Sequence, residues 1–238
     1  MNAFLYGIGL QFKLDIRSKS LLITCYLVPL LFFAIMGGIF TSLMPEAKDT
    51  LIQSMTVMGV SMGAFVGVPP SIVEIYGTDI KKMYHANGIP QSFGLFSLVI
   101  SAFIHLLIMS GIIFFTAPLA FNAVIPSDLP LYFGVLVLFI IVSLCIACVL
   151  GLMVKSQAKL TMYSQIVFLP SIMLSGIMFP ADLLPAFLEN TGRLFPASWA
   201  YILLSQKEIT FSNFLPLLLI FITAFILSGL LLKKARAE

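Results

Sequence analysis

Charge is what this 238-residue chain most lacks, since Asp, Glu, Lys and Arg make up only 10% of it while hydrophobic residues make up 60%. A soluble domain of this length has too little interior to bury that much apolar surface, and it would aggregate. The few basic residues form no cluster on one surface, so we expect no nucleic-acid partner. The sequence therefore indicates an integral membrane protein that lies in the lipid bilayer.

Cysteine is scarce as well, and the three that occur do not form a disulfide framework. Cys145 and Cys148 lie three residues apart in an apolar run, but no second pair of ligands accompanies them, so we predict no metal site. The chain also lacks the G-x-x-x-x-G-K-S/T motif that cradles nucleotide phosphates. Any ATP hydrolysis linked to this chain would therefore belong to a separate polypeptide.

What the chain does have is long uncharged stretches, six of which can each hold the roughly 20 apolar residues that cross a bilayer. The third stretch carries Pro118, Asn122 and Pro126 at its far end, so we expect its helix to end near Thr116. We predict an all-α fold, a polytopic membrane bundle of six transmembrane helices in a single domain over residues 1–238. The predicted spans are approximately 20–43, 51–74, 93–116, 131–154, 160–179 and 210–232.

Basic residues predict the orientation of this bundle. With a cytosolic amino terminus, the cytosolic segments hold ten of the 13 Lys and Arg residues. The external segments hold the other three, which are Lys48, Arg193 and Lys207. We therefore place both termini in the cytosol, in a multi-pass protein of the cell (cytoplasmic) membrane.

Small residues recur at every fourth position in the first two predicted spans. Such spacing lets helix backbones approach closely where no hydrophobic effect drives their association. Two interpretations stay open: the small residues pack within the chain, or they form a face against a second copy. The residues are Ala34, Gly38 and Ser42 in the first span and Gly59, Gly63 and Gly67 in the second.

Residues 1–19 are predicted to form an amphipathic helix in the cytosolic interface of the membrane. This helix is either a simple membrane-bound leader or an elbow that braces the bundle against a cytosolic partner. Its apolar stripe consists of Met1, Phe4, Leu5, Ile8, Phe12 and Ile16, and its polar side of Asn2, Lys13 and Arg17.

The cytosolic loop at residues 76–91 is predicted to contain a short helix across the mouth of the bundle. Gly88 and Pro90 supply a stop signal for this helix. An apolar face with basic residues opposite it suits docking into a groove of another protein, and a simple interfacial turn is the alternative. The residues assigned to this contact are Tyr76, Asp79, Ile80, Lys81, Lys82, Met83, Tyr84, Gly88 and Pro90.

Residues 180–207 are too apolar for an ordinary loop, yet their prolines and charges prevent a full crossing. Short re-entrant helices in the outer leaflet, between the fifth and sixth spans, satisfy both facts. Backbone at that depth must be helical or buried in protein. The residues singled out in this segment and in the few positions before it are Ser175, Gly176, Phe179, Pro180, Pro185 and Pro196.

The run Leu169–Pro180, followed by Leu184-Pro185 and Phe195-Pro196, resembles the permease family of type-2 ATP-binding-cassette (ABC) exporters. That family has a fifth span rich in Ser and Gly, and then two short external re-entrant helices. The run Gly88-Ile89-Pro90 resembles the end of the family's coupling helix. The resemblance covers essentially the whole chain.

The resemblance implies a dimer of identical or related permeases that carries two cytosolic ABC ATPase subunits. Those ATPases would use ATP and Mg, whereas this chain would bind no cofactor and would not be an enzyme. Cargo would move outward between the two permeases. The loop at 76–91 would contact the ATPases together with the elbow residues Phe4, Ile8, Phe12, Lys13 and Arg17.

We expect the cargo to be a hydrophobic or amphipathic compound, such as an antibiotic, a peptide or a lipid-like molecule, because the spans carry almost no charge. Export of this kind from a bacterial cell would give multidrug or antibiotic resistance. The alternatives are a polysaccharide-exporting permease of the same family, a non-transporting membrane sensor or scaffold subunit, and a carrier that works without ATP.

Overall fold

The computed structural model describes residues 3–77, 80–178, 184–205 and 211–237, and these ranges are helical with no β-strand. The predicted all-α, polytopic helix bundle is thereby confirmed. The helices are α1 (Ala3–Arg17), α2 (Lys19–Leu43), α3 (Leu51–Gly77), α4 (Ile80–Ala86), α5 (Ser92–Phe121), α6 (Leu129–Met153), α7 (Gln157–Met173), α8 (Ala186–Gly192), α9 (Pro196–Ser205) and α10 (Phe211–Ala237).

Five of the described helices, α2, α3, α5, α6 and α10, are long and apolar enough to cross a membrane. The predicted fifth span corresponds to α7, which has 17 residues. A helix of that length reaches about 26 Å, short of the roughly 30 Å of bilayer hydrocarbon. The positions of the five long helices agree with five of the predicted spans. The assignment of α7 as the remaining span, and so the total of six, stays a prediction.

The second span, α3, lies at the centre of the bundle, with 89% of its most apolar stretch buried. It contacts α2, α5, α6, α7 and α9, and its side chains form much of the main apolar core. The peripheral helices are α2 and α10, in which 22% and 17% of the corresponding stretch is buried. Their outer faces are apolar and match a lipid environment.

Prolines explain two local irregularities in these helices. Both α2 and α3 contain one widened π-helical turn, at Ile23–Leu27 and Gly63–Gly67. In the second, the N–H of Val68 bonds a carbonyl five residues back at 3.1 Å. The turns precede Pro29 and Pro69, whose rings would clash with the carbonyl four residues earlier in a regular helix. A widened turn moves that carbonyl away, so each helix continues through its proline.

The third span is longer than the sequence predicts. We expected its helix to end near Thr116, but α5 continues through Pro118 to Phe121. Pro118 has no N–H to donate, but its carbonyl still accepts a hydrogen bond from the N–H of Asn122 at 3.1 Å. The helix ends at Asn122, whose φ of 52° is left-handed, a conformation that asparagine tolerates better than most residues.

Candidate functional site

At one end of the bundle, α4 closes the loop between α3 and α5, and we call this the α4 end. The helix stops at Ala86, and Gly88 then turns the chain with a left-handed φ of +66°. The N–H of Ile89 bonds the carbonyl of Tyr84 at 2.9 Å. The hydroxyl of Tyr76 donates to the carbonyl of Gln91 at 2.6 Å, so the two ends of the loop are tied together.

The apolar side of α4 packs mainly on the bundle itself. Ile80 and Tyr84 are half-buried against the core, and the Tyr84 ring covers Gly94 of α5 so closely that an added side-chain carbon there would lie 2.7 Å from it. Met83 instead exposes 62% of its surface. Of the apolar residues predicted to dock on a partner, Met83 is therefore the one that is open to it.

Three of the assigned residues have no described side chain. Asp79 lies outside the described residues, and for Lys81 and Lys82 the description extends to the backbone alone, which is helical. Pro90 follows the left-handed turn and is exposed.

The amino-terminal helix α1 lies along α5. Phe4 contacts Phe93 edge to face, with ring centroids 5.8 Å apart, and Phe12 stacks on His105. Ile8 is half-buried between these contacts. The predicted polar side is exposed, since Lys13 and Arg17 both point away from the bundle.

Sequence reasoning missed Asp15, which faces the bundle with only 4% of its surface exposed. Ile16, which we placed in the apolar stripe, is 45% exposed instead. A signal for this was present: Asp15 lies three residues after Phe12 and seven after Ile8, so it falls on their face of the helix. An acid within an apolar stripe indicates a specific polar partner.

The small residues of α3 fill the contacts between helices. A side-chain carbon added at Gly59 would lie 2.7 Å from Cε of Met109, and one at Gly67 would lie 2.8 Å from Oγ1 of Thr24. One at Gly63 would collide with Leu106. For α3, packing within the chain therefore accounts for the spacing.

The three small residues singled out on α2 differ, because no side chain of the described residues lies as close to them. Ala34 and Ser42 are exposed, and a side-chain carbon at Gly38 would meet only one ring atom of Phe121, at 3.9 Å. Among the described residues, this face of α2 has no helix packed upon it.

At the opposite end of the bundle, α7 gives way to two short helices, α8 and α9. Ser175 caps the end of α7 by bonding the carbonyl of Ile172 at 2.9 Å, and Gly176 turns the chain with a φ of +84°. Pro185 precedes α8 and accepts hydrogen bonds from its first turn, and Pro196 begins α9. Phe179 and Pro180 lie outside the described residues.

The corner between α8 and α9 is held by polar side chains. Ser198 Oγ donates to the carbonyl of Gly192 at 2.7 Å, and Trp199 Nε1 donates to the carbonyl of Arg193 at 2.6 Å. Ala197, Ala200 and Leu203 are fully or almost fully buried. The packed position of α9 against α3, α6 and α10 is compatible with the predicted re-entrant placement, which stays a prediction.

A cavity of about 710 Å³ lies at this end, between the start of α3, the end of α7 and the pair α8–α9. Most of its wall surface is apolar, and charge is supplied by Glu46 and by the ion pair between Glu189 and Arg193, at 2.6 Å. The wall includes Phe40, Leu51, Ser54, Leu174, Ile177, Met178, Tyr201 and Ile202.

Comparison with known families agrees with this arrangement of helices. The family model described as ABC-2 type transporter matches residues 4–209, from α1 to the segment before α10. The chain belongs to the ABC-2 type transporter family. A comparison with curated proteins gives no significant match.

Membership of the ABC-2 family makes this chain a permease component of an ABC transporter and a multi-pass membrane protein. It also implies association with an ABC ATPase, which is typically a separate subunit. The permease therefore needs a surface for that ATPase and a path for cargo. The α4 end is the candidate for the ATPase surface, and the cavity is the candidate for part of the cargo path.

Proposed function

We propose that this ABC-2 permease is part of an ATP-driven exporter that moves a hydrophobic or amphipathic compound outward across a bacterial cytoplasmic membrane. The cargo would be an antibiotic, a peptide or a lipid-like molecule. The observation that carries the proposal is the largely apolar cavity at the end opposite α4. Its volume of about 710 Å³ falls in the range of sites for drug-sized ligands.

The orientation follows from the basic residues. Under the six-span prediction, ten of the 13 Lys and Arg residues fall in segments on the α4 side of the bundle. Because basic loops stay in the cytosol, the α4 end is cytosolic and the cavity opens at the outer end. Cargo in the cavity is thus close to release.

The cavity wall favours an amphipathic cargo over a polysaccharide. Sugar polymers are commonly bound on aromatic rings, whereas the described residues that line this cavity include only two aromatic ones, Phe40 and Tyr201. The Glu189–Arg193 pair and nearby serines offer hydrogen bonds to a polar group at one end of the cargo. A molecule with an apolar body and one polar end fits both parts of the wall.

The ATPase would dock at the cytosolic end on α4 and the exposed side of α1. Met83 offers an apolar contact there, and Lys13 and Arg17 offer positive charge. The ATPase, rather than this chain, would bind ATP and Mg. Movement of α4 reaches the bundle through Tyr84 and the bond from Tyr76 to Gln91.

A second permease, identical or related, would pack on α2. The face of Ala34, Gly38 and Ser42 lets another helix approach closely, and nothing within the described chain covers it. The outer cavity also involves the end of α2 through Phe40 and Met44. A dimer formed on this helix would therefore bring two such cavities near one axis.

Transport into inside-out vesicles tests the proposal. The permease, reconstituted with its ATPase, should accumulate amphipathic probes (a cationic dye and a fluorescently labelled lipid) when ATP is added outside. Ile202→Trp narrows the cavity and should reduce accumulation about tenfold or more. Ile222→Trp, an equal change on the exposed face of α10, is the matched control and should transport normally.

Two results would contradict this function. One is ATP-dependent movement of the probes out of such vesicles, which would mean import. The other is an equal loss of transport in both tryptophan variants, which would show that the cavity has no special part in moving the probe.

A further inference from the structure

A buried carboxylate joins α1 to the third span. Asp15 is 4% exposed, and its Oδ2 accepts a hydrogen bond from Oγ of Ser101 on α5 at 2.5 Å. Its Oδ1 accepts a second bond, from Nε2 of Gln11 one turn earlier on α1, at 2.9 Å. Ser101 itself is fully buried. The contact is therefore a polar one enclosed between two helices.

The same cluster reaches the first span. The ring of Phe12 stacks on His105 of α5, with ring centroids 4.6 Å apart and planes inclined by 12°. Nδ1 of His105 shares a hydrogen bond of 2.7 Å with the hydroxyl of Tyr26 on α2. His105 is 1% exposed. Side chains from α1, α2 and α5 thus meet in one cluster, in which the buried polar residues Asp15, Ser101 and His105 contact the partly buried Gln11, Phe12 and Tyr26.

Burial of a carboxylate carries a cost that constrains where α1 can lie. Loss of water raises the pKa of Asp15, and the hydrogen bonds from Ser101 and Gln11 oppose that rise. Without such partners the buried group would cost several kcal/mol. Leu98 and Ala102, also buried on α5, cannot serve as partners. A displaced α1 would leave the carboxylate unpaired.

A buried polar pair of this kind selects one register between two helices more than it adds stability. The two helices run broadly in the same direction, because Phe4 meets Phe93 whereas Phe12 and Asp15 meet His105 and Ser101, both further along α5. The apolar contacts alone would tolerate sliding, since aromatic and aliphatic surfaces pack in many registers. The carboxylate of Asp15 does not tolerate such sliding, because it needs its hydrogen-bond partner on α5.

We infer that Asp15 is a positioning residue that fixes the register of α1 on α5, so that α1 and the first and third spans move as one body. A helix that merely floated in the interface would keep its acid in water, beside Lys13 and Arg17. The inference does not depend on the proposed export function, because it involves neither cargo nor ATP. Under that function, it explains how an ATPase contact on α1 reaches the spans.

Limited proteolysis of the full-length permease in lipid nanodiscs tests the inference. Trypsin cuts after Lys13 and Arg17 only when α1 leaves the bundle and opens, so release of peptides that end at Lys13 or Arg17, identified by mass spectrometry, reports undocking, whereas a cut at the exposed Lys19 of α2 does not. Asp15→Ala and Ser101→Ala should each speed this cleavage about tenfold, as expected for a buried hydrogen bond to a charged group. Asp15→Asn should stay within about twofold of the wild type, because its amide oxygen still accepts from Ser101.

Ser97→Ala is the matched control. Ser97 is also buried on α5, one turn from Ser101, but its hydroxyl bonds the carbonyl of Gly94 in its own helix at 3.1 Å. The Ser97→Ala variant should be cleaved by trypsin at the wild-type rate. The double variant Asp15→Ala/Ser101→Ala should be cleaved no faster than the faster single variant, because both changes remove one interaction.

The inference fails if Ser101→Ala is cleaved like Ser97→Ala, or if the two alanine effects multiply in the double variant. It also fails if Asp15→Asn is cleaved as fast as Asp15→Ala. Should Asp15→Ala not fold, the comparison of Ser101→Ala with Ser97→Ala decides alone. Transport measurements are not needed for any of these outcomes, so a failure here is distinct from a failure of the proposed export.

Discussion

The first and second spans carry the same spacing of small residues but lie in opposite surroundings. In α3, 89% of the most apolar stretch is buried, against 22% in α2. The space beside Gly59, Gly63 and Gly67 is filled by side chains from α2 and α5. The equivalent face of α2 is open. A regular series of small residues therefore predicts close helix packing, but it does not tell whether the partner helix belongs to the same chain.

Polar side chains separate α3 from the Thr41–Ser42 end of α2, although Tyr26 near the other end of α2 does bond His105 of α5. Among the buried polar residues of α3, Thr56 reaches a neighbour, since its Oγ1 shares a hydrogen bond of 3.0 Å with the hydroxyl of Tyr132 on α6. The hydroxyls of Thr41 and Ser42 on α2 bond only carbonyls of their own helix. A helix surrounded by protein can pair polar groups with its neighbours, whereas one that faces lipid must satisfy them internally.

The largest effect in this comparison is expected at Gly63. Gly63→Leu puts a side chain into the position of Leu106 and beside Cys25, so it should destabilise the bundle by about 1–3 kcal/mol or more. Thermal unfolding in detergent measures this as a drop of several degrees in Tm. Gly38→Leu, the same change on α2, should leave the Tm of the isolated chain unaltered. Equal Tm values for both variants would contradict the difference between the two spans.

A smaller effect is expected at Gly38 when the oligomer is measured instead. If a second permease packs on α2, Gly38→Leu should weaken dimerisation on the order of tenfold, because it holds the two backbones apart. Analytical ultracentrifugation or mass photometry in nanodiscs measures the dimer fraction. Gly229→Leu on the open face of α10 is the control and should dimerise normally. A dimer that tolerates Gly38→Leu but not Gly229→Leu would move the interface from α2 to α10.

Much of the fold was predictable because membrane spans are set by length and hydropathy along the chain alone. α2, α3, α5, α6 and α10 all agree with predicted spans. The end of α5 was not predictable, since Pro118 is typical of a helix stop although α5 continues through it to Phe121. The deciding residue, Asn122, has a left-handed conformation that depends on the turn that follows.

The candidate site was less accessible to sequence reasoning, because its residues are defined by contacts between helices. The apolar face of α4 was visible from Ile80, Met83 and Tyr84, but their pattern could not show that Ile80 and Tyr84 cover the bundle itself. The role of Asp15 depends on Ser101, which lies 86 positions away in the chain. The cavity likewise forms only when α8 and α9 fold against α3.

Affinity purification of the tagged permease from its native membranes tests the central claim most directly. An ABC ATPase should co-purify with the wild-type chain and with Leu194→Glu, a change at an exposed residue on the cavity side. Met83→Glu, at an exposed position on α4, should reduce the recovered ATPase about tenfold while Tm stays the same. Absence of an ABC ATPase from the wild-type preparation, or its equal recovery with Met83→Glu, would contradict the account.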